Sequence, residues 1–137
     1  MAKVRDLMKR QVVTIGPDEP IINAIKAMAE GGFRRIPVVQ GPMLVGIITD
    51  RDLRQAINSP VVFHEISYDK YVLTAIYVGS CMTRDPVTIR PDADIIEAAR
   101  IVEDKKIGGL PVVDGDVLVG IITVSDLINY LIGTLEK

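Results

Sequence analysis

Two hydrophobic periods alternate along this chain, and each change of period marks a new structural element. Residues 12–15 form a short β-branched run that a Gly-Pro pair ends, which predicts a strand. Over residues 21–30 the apolar positions recur at helical spacing, and the glycines at 31–32 predict the end of a helix. The expected buried face of that helix consists of Ile21, Ala24, Ile25 and Met28.

The next stretch predicts a β-hairpin followed by a second helix. Residues 36–39 and 43–49 are apolar runs, and a Gln-Gly-Pro turn separates them. A second helix opens near Thr49 and continues through Leu53 and Ile57. The predicted order of elements is therefore β-α-β-β-α.

The same order returns 74 positions later. The run LVGIIT at residues 44–49 reappears at residues 118–123, and Pro-Val-Val at 37–39 reappears at 111–113. Self-similarity at a fixed offset indicates a repeat architecture. Each copy has an apolar sheet face that it cannot bury by itself, so we expect a mixed α/β (α+β) fold in which the copies pack face to face about a pseudo-twofold axis.

We place the first repeat at residues 4–57 and the second at residues 78–132. The intervening residues 58–77 are predicted to be a linker containing a short helix near Tyr71, Val72, Ala75 and Ile76. Met8 and Met82 occupy equivalent positions and are expected to be core fillers.

Length and composition narrow the classes of function. The chain has 137 residues, so both repeats are expected to share a single core. A net charge of −2 provides no positive field for a nucleic acid, and no apolar run is long enough for a membrane span. The single Cys81 and single His64 argue against a disulfide and a structural zinc site. We expect a cytoplasmic protein.

The candidate chemistry lies where the LVGIIT strand meets the following helix. Thr49 and Asp52 stand there in the first repeat, and Thr123 and Asp126 stand there in the second. A carboxylate offers two acceptor oxygens to the two hydroxyls of a ribose, and a helix N-terminus suits a phosphate. The glycine of each strand is expected to let a ligand approach the backbone. Together these features suit a nucleoside phosphate.

The same spacing has a purely structural interpretation. Thr-x-x-Asp is the pattern of a capping box, which stabilises a helix start without any ligand. The two roles can coexist in one side chain.

The doubled pattern of Pro-Val-Val, a turn and LVGIIT-x-x-Asp-Leu resembles the CBS domain, named after cystathionine beta-synthase, in its usual tandem pair. The resemblance covers nearly the whole chain. It implies a non-catalytic regulatory module that needs no cofactor and binds an adenosyl ligand, namely AMP, ADP, ATP or S-adenosylmethionine, in clefts between the two motifs. It also implies an unidentified regulated protein as partner. By analogy with the family we expect a homodimer formed through the apolar residues Leu127, Ile128, Leu131 and Ile132.

The family geometry assigns ligand-binding residues to two clefts, each headed by one Thr-x-x-Asp motif. The first is assigned to Thr123, Ser125 and Asp126 together with Val12, Val13, Phe33, Arg34, Arg35 and Pro37. The second is assigned to Thr49, Arg51 and Asp52 together with Pro86, Val87, Ile107, Gly108 and Gly109. We expect the first to bind more tightly, because its arginines suit a phosphate and Phe33 suits an adenine ring. In the second, Asp50 opposes a phosphate.

Two other classes of function have to be weighed. A ligand-free module that dimerises or holds a partner through its apolar helices is the alternative. An enzyme is not expected, because the sequence has no constellation of base, nucleophile or metal ligands.

Overall fold

The computed structural model describes residues 1–57 and 70–137, without the side chains of residues 70–72. His64 and most of the predicted linker lie outside the described residues. In chain order, the described helices and strands are α1 (Val4–Leu7), α2 (Ile21–Gly31), β1 (Arg35–Gln40), β2 (Met43–Thr49), α3 (Asp50–Ile57), α4 (Lys70–Ala75), α5 (Val78–Cys81), β3 (Thr83–Arg84), α6 (Ile95–Lys105), β4 (Gly109–Asp114), β5 (Val117–Thr123) and α7 (Val124–Leu135). The mixed helix and sheet class is as expected.

The chain divides into two compact units. The first-repeat unit comprises residues 13–86, and the second-repeat unit comprises residues 1–12 and 87–137. Each unit contains one helix–hairpin–helix motif, together with the short helix that begins the other repeat. The compact units therefore exchange the leading segments of the two repeats: residues 4–12 of the first repeat lie in the second-repeat unit, and residues 78–86 of the second repeat lie in the first-repeat unit.

Both hairpins form as the turn residues predict. In the first-repeat unit β1 pairs antiparallel with β2, from Arg35 opposite Thr49 to Gln40 opposite Met43. In the second-repeat unit β4 pairs with β5 in the equivalent register. Gly41 and Gly115 lie in the turns with φ of 57° and 63°, a conformation that glycine adopts without steric cost.

The strand predicted at residues 12–15 is wrong in extent, because it shrinks to a single parallel bridge at Ile15. The Ile15 N–H donates to the Pro37 carbonyl at 3.2 Å, and the Ile15 carbonyl accepts from the Val39 N–H at 2.9 Å. The next donors of a parallel ladder would be the nitrogens of Pro17 and Pro37. Neither proline has an N–H, so the ladder cannot extend in either direction.

The second repeat has the same restriction. Ile89 donates to the Pro111 carbonyl at 3.1 Å and accepts from the Val113 N–H at 2.9 Å. Pro91 and Pro111 occupy the positions of the next donors. The proline spacing thus limits both first strands to one bridge.

The first helix of each repeat ends through a left-handed residue. Gly32 caps α2 with φ of 70°, as the sequence predicts, and Ile21 and Ala24 are fully buried on its inner face. In the second repeat Lys106 takes the equivalent position after α6 with φ of 56°. The exposed run at residues 103–106 forms that helix end.

The sequence predicts a single shared core, whereas most of the buried apolar side chains belong to two clusters, one in each unit. The first-repeat cluster consists of Ile15, Ile21, Ala24, Ile36, Val38, Ile48, Leu53 and Val78. The second-repeat cluster consists of Val4, Met8, Ile89, Ala98, Leu110, Val112 and Ile122. Val78 and Val4 come from the exchanged segments, so the core of each unit is completed by the short helix of the other repeat. Met8 is buried and Met82 packs against the first cluster, as expected of core fillers.

Each exchanged segment then runs along the second strand of the hairpin. In the first-repeat unit β3 pairs with β2, with Arg84 opposite Gly46. In the second-repeat unit the Lys9 N–H donates to the Ile121 carbonyl at 2.8 Å, and the Ile121 N–H donates back at 2.9 Å.

Protein atoms occupy the space beside the glycines of these strands, where the sequence predicts the approach of a ligand. A Cβ at Gly46 would lie 2.7 Å from the Met82 sulfur and 2.9 Å from the Thr83 carbonyl oxygen. A Cβ at Gly120 would lie 2.8 Å from the Met8 sulfur and 2.8 Å from the Lys9 carbonyl oxygen. The physical reason is that the exchanged segment passes close beside each strand at that residue.

In the part of the chain described, no helix combines the length and apolar character that a membrane span requires.

Gly46→Ala and Gly120→Ala are expected to lower the free energy of unfolding by about 1–3 kcal/mol each, because the added methyl group overlaps backbone oxygen. Urea denaturation of each full-length variant measures the loss.

Gly133→Ala is the matched control. Gly133 lies within α7 with no atom within 4 Å of an added Cβ, so the change should stabilise the helix by about 0.5–1 kcal/mol. Unchanged stability of both strand variants would show that the close approach is not required.

Candidate functional site

The Thr-x-x-Asp motif of the second repeat forms a capping box at the start of α7. Thr123 is the N-cap residue, and its Oγ1 accepts from the Asp126 N–H at 3.3 Å. The Asp126 Oδ2 accepts from the Thr123 N–H at 2.8 Å and from the Thr123 hydroxyl at 3.0 Å. One carboxylate oxygen of Asp126 is therefore committed to the helix start.

The first repeat builds the same arrangement at the start of α3. The Thr49 N–H donates to Asp52 Oδ2 at 3.0 Å, and the Asp52 N–H donates to Thr49 Oγ1 at 3.1 Å. The capping interpretation thus holds at both turns, and a ligand-binding role for the same carboxylates stays a prediction.

Backbone carbonyls use another of the N–H groups at each helix start. The Asp50 N–H donates to the Arg34 carbonyl at 2.9 Å, and the Val124 N–H donates to the Gly108 carbonyl at 3.0 Å. The caps take the N–H at the third position. This leaves the N–H groups of Arg51 and Ser125, at the second position of α3 and α7, as the donors that neither the cap nor these carbonyls use.

The two aspartates differ in their remaining partner. Lys9 Nζ forms an ion pair with Asp126 Oδ1, and the side chains are 58% and 9% exposed respectively. The Thr83 hydroxyl lies 3.3 Å from each of the two carboxylate oxygens of Asp52. Lys9 and Thr83 are equivalent residues of the two repeats, each following a core methionine. Sequence reasoning missed both, although the 74-residue offset would have aligned them.

Further charges lie near the first-repeat turn. Arg35 stands opposite Thr49 in the hairpin register. Burial lowers the pKa of the half-buried Arg35, Asp50 opposes this effect, and Arg34 adds to it. Asp50 also pairs with Arg54 at 3.3 Å. Arg35, one of the two arginines that the family geometry assigns to the Asp126 cleft, is thus coupled to a carboxylate of its own repeat.

The other predicted site residues are divided between the two units. The first-repeat unit contains Thr49, Arg51, Asp52, Val13, Phe33, Arg34, Arg35, Pro37 and Pro86. The second-repeat unit contains Thr123, Ser125, Asp126, Val12, Val87, Ile107, Gly108 and Gly109. Each predicted cleft draws on both units, so the two groupings stay predictions.

Burial distinguishes these residues further. Pro37 is fully buried, and Val13 and Val87 are 52% and 40% exposed. Phe33 is half-buried and packs against the first-repeat core, with its ring lying over Gly31.

The pKa of the Cys81 thiol is sensitive to the charge of Asp52. Burial raises the pKa of the half-buried thiol, and the negative charge of Asp52 raises it further. Because the chain has one cysteine, its reactivity can be measured without interference.

Among the described side chains, no group of three or more His, Cys, Asp and Glu residues could hold a metal ion.

Thr123→Val should lower the free energy of unfolding by about 1 kcal/mol, because the Asp126 N–H loses its acceptor. Chemical denaturation measures the change. Thr134→Val is the control, since its exposed hydroxyl donates to the Tyr130 carbonyl in the same helix; its effect should stay within about 0.5 kcal/mol. Equal effects would argue against a specific cap.

Asp52→Asn should speed the reaction of Cys81 with a disulfide reagent at pH 8, because loss of the negative charge lowers the thiol pKa and increases the thiolate fraction. Stopped-flow absorbance gives the rate. Asp50→Asn serves as control, since Asp50 does not contribute to the Cys81 shift. Identical rates for Asp52→Asn and wild type would contradict the coupling.

Comparison with known proteins places this geometry in a family. A CBS domain-containing protein of Dictyostelium discoideum is 39% identical over 136 residues, covering 97% of this chain and 93% of that protein. The CBS domain pair of protein MJ0100, solved with 5′-methylthioadenosine and S-adenosyl-L-methionine, is 26% identical with a TM-score of 0.79 and 98% coverage of both chains. The structure of CBSX2 with AMP shares the fold at a TM-score of 0.83, with 24% identity and 100% coverage of both.

The family model of the CBS domain matches this chain twice, at residues 4–59 and 78–133. The two matches contain the two Thr-x-x-Asp turns described above. The chain therefore belongs to the CBS domain family and carries its motif in tandem.

Proposed function

We propose that this chain is a non-catalytic sensor module that binds an adenosyl ligand through its two strand–helix turns and transmits occupancy to a partner protein. The observation that carries the proposal is the doubled turn, in which a carboxylate at the third helical position stands beside an N–H that the cap leaves unused. The CBS domain pair of protein MJ0100, which shares this fold and was solved with 5′-methylthioadenosine and S-adenosyl-L-methionine, supports it.

The carboxylate suits a ribose. The cap uses one carboxylate oxygen, and the other oxygen can accept from the hydroxyls of the sugar in a charge-assisted interaction. Asp126 is 9% exposed, so a hydrogen bond made there is only weakly screened by water.

The helix start suits the 5′ substituent of the ligand. The Ser125 N–H and hydroxyl at one turn, and the Arg51 N–H and guanidinium at the other, are donors within one residue of the carboxylates. A positive helix end together with such donors favours phosphate or carboxylate groups.

A sensor requires that the ligand favour one conformation of the module over another. A ligand that binds only the folded chain also stabilises it, by an amount that increases with the logarithm of the ligand concentration above the dissociation constant. The regulated protein is proposed to read that change in the cytoplasm, with no cofactor required.

The alternative is a ligand-free dimerisation or interaction module, and the C-terminal helix supports it. Ile128, Leu131, Ile132 and Leu135 on α7 are between 46% and 75% exposed. Exposed apolar patches of this kind mark association surfaces. Leu127, which the sequence assigned to the same face, instead packs against the second-repeat core. The homodimer stays a prediction.

Asp126→Asn is expected to weaken binding of AMP by about 1–3 kcal/mol, and more than Asp52→Asn, because a charged acceptor for the ribose is lost. Asparagine retains an oxygen for the cap. Isothermal titration calorimetry gives the affinity and the stoichiometry, and 2′-deoxy-AMP should bind the wild type less well than AMP does.

Asp94→Asn is the matched control, because Asp94 is an exposed aspartate of the same unit that pairs with Lys3 at 2.9 Å. It should bind AMP as the wild type does. A thermal-shift panel of AMP, ADP, ATP and S-adenosylmethionine that leaves the melting temperature unchanged would favour the ligand-free alternative.

A further inference from the structure

The two repeats place different side chains on their equivalent aspartates. Asp126 Oδ1 accepts from the ammonium of Lys9, whereas the Asp52 carboxylate accepts from the hydroxyl of Thr83. The backbones of both residues lie in the same relation to the neighbouring strand, since Lys9 bridges Ile121 and Thr83 pairs with Ile47. The difference is therefore confined to the side chain.

This difference changes the charge of each turn. At Asp126 the lysine neutralises a carboxylate that is 9% exposed. At Asp52 the partner is uncharged, and Asp50 adds a second carboxylate that is paired with Arg54. Low solvent exposure strengthens the effect of a charge on an approaching ion. Lys9 thus makes the Asp126 turn better suited to an anionic ligand than the same turn without a cation on its carboxylate.

The Lys9 ammonium also has N–H donors that the pair with Asp126 does not use. An ammonium carries three N–H groups, and the pair with Asp126 uses one of them. The Lys9 side chain is 58% exposed, so its end can pivot while its backbone stays fixed by the two hydrogen bonds to Ile121.

We propose that Lys9 is a specificity-determining residue that makes the Asp126 turn prefer phosphorylated adenosyl ligands over uncharged ones. This inference rests on the proposed function, because it takes Asp126 to be the ribose acceptor. An uncharged nucleoside competes with Lys9 for the carboxylate and has no anionic group to which the ammonium could donate instead. A nucleotide supplies a phosphate to which the displaced or shared ammonium donates.

The test compares AMP with adenosine, which differ by the phosphate, on the full chain. In the wild type, AMP should bind more tightly than adenosine at the site lost in Asp126→Asn. Lys9→Thr copies the residue of the other repeat, and it should lower the ratio of AMP affinity to adenosine affinity by about tenfold. Titration calorimetry measures both affinities.

Lys3→Thr is the matched control, since it removes another lysine of the same unit, one that pairs with Asp94. It should leave the ratio within twofold of the wild type. Thr83→Lys makes the reverse change at Asp52 and should raise the preference for AMP there, which keeps the inference testable if Lys9→Thr does not fold.

The outcomes separate the two proposals. Binding of AMP with a ratio that neither Lys9→Thr nor Thr83→Lys alters beyond the Lys3→Thr control would overturn the role of Lys9 and leave the proposed function standing. Failure of the wild type to bind any of adenosine, AMP, ADP, ATP and S-adenosylmethionine would overturn both.

Discussion

The close approach of an exchanged chain segment to a glycine of the neighbouring strand is the constraint on which each unit depends. At Gly46 and Gly120 a side chain would overlap the carbonyl oxygen of Thr83 or Lys9. The approach lets a methionine enter or cover the core, and it adds backbone hydrogen bonds at the edge of the hairpin. It also places the residue after that methionine beside the aspartate of the next helix. The same close approach of the exchanged segment thus determines both how the methionine packs and which residue contacts the aspartate.

The aspartates serve two purposes that differ in their demands. As capping residues, Asp52 and Asp126 satisfy N–H groups at the helix start and hold the strand–helix turn in place. As proposed ribose acceptors they need an oxygen that a ligand can reach. One oxygen of Asp126 is held by the cap and the other by Lys9, so the proposed ligand has to compete with Lys9 for that second oxygen. The structural and ligand-binding interpretations are therefore complementary.

Prolines show how a local rule limits a pattern. The β-branched run at residues 12–15 predicts a strand of several residues, yet Pro17 and Pro37 remove the donors on both sides of the Ile15 bridge. The relevant proline at position 37 belongs to the partner strand. The loss of the Pro37 donor can be inferred only when the pairing register is known. The sequence pattern therefore predicts the position of the strand correctly and overestimates its length.

The sequence by itself determined the helix–hairpin–helix order of each repeat, the turns at Gly41 and Gly115 and the Thr-x-x-Asp caps, because each depends on residues within a few positions of one another. It also determined the repeat, which is visible when the chain is aligned with itself. Tertiary structure decided the division into two cores, the exchange of the leading segments and the contact of Lys9 with Asp126, which are 117 residues apart. Such contacts arise from how distant segments pack, and hydrophobic periodicity carries no information about which segments meet. The same physical reason separates Asp126 from Asp52, which have the same local motif and acquire different partners only in the folded chain.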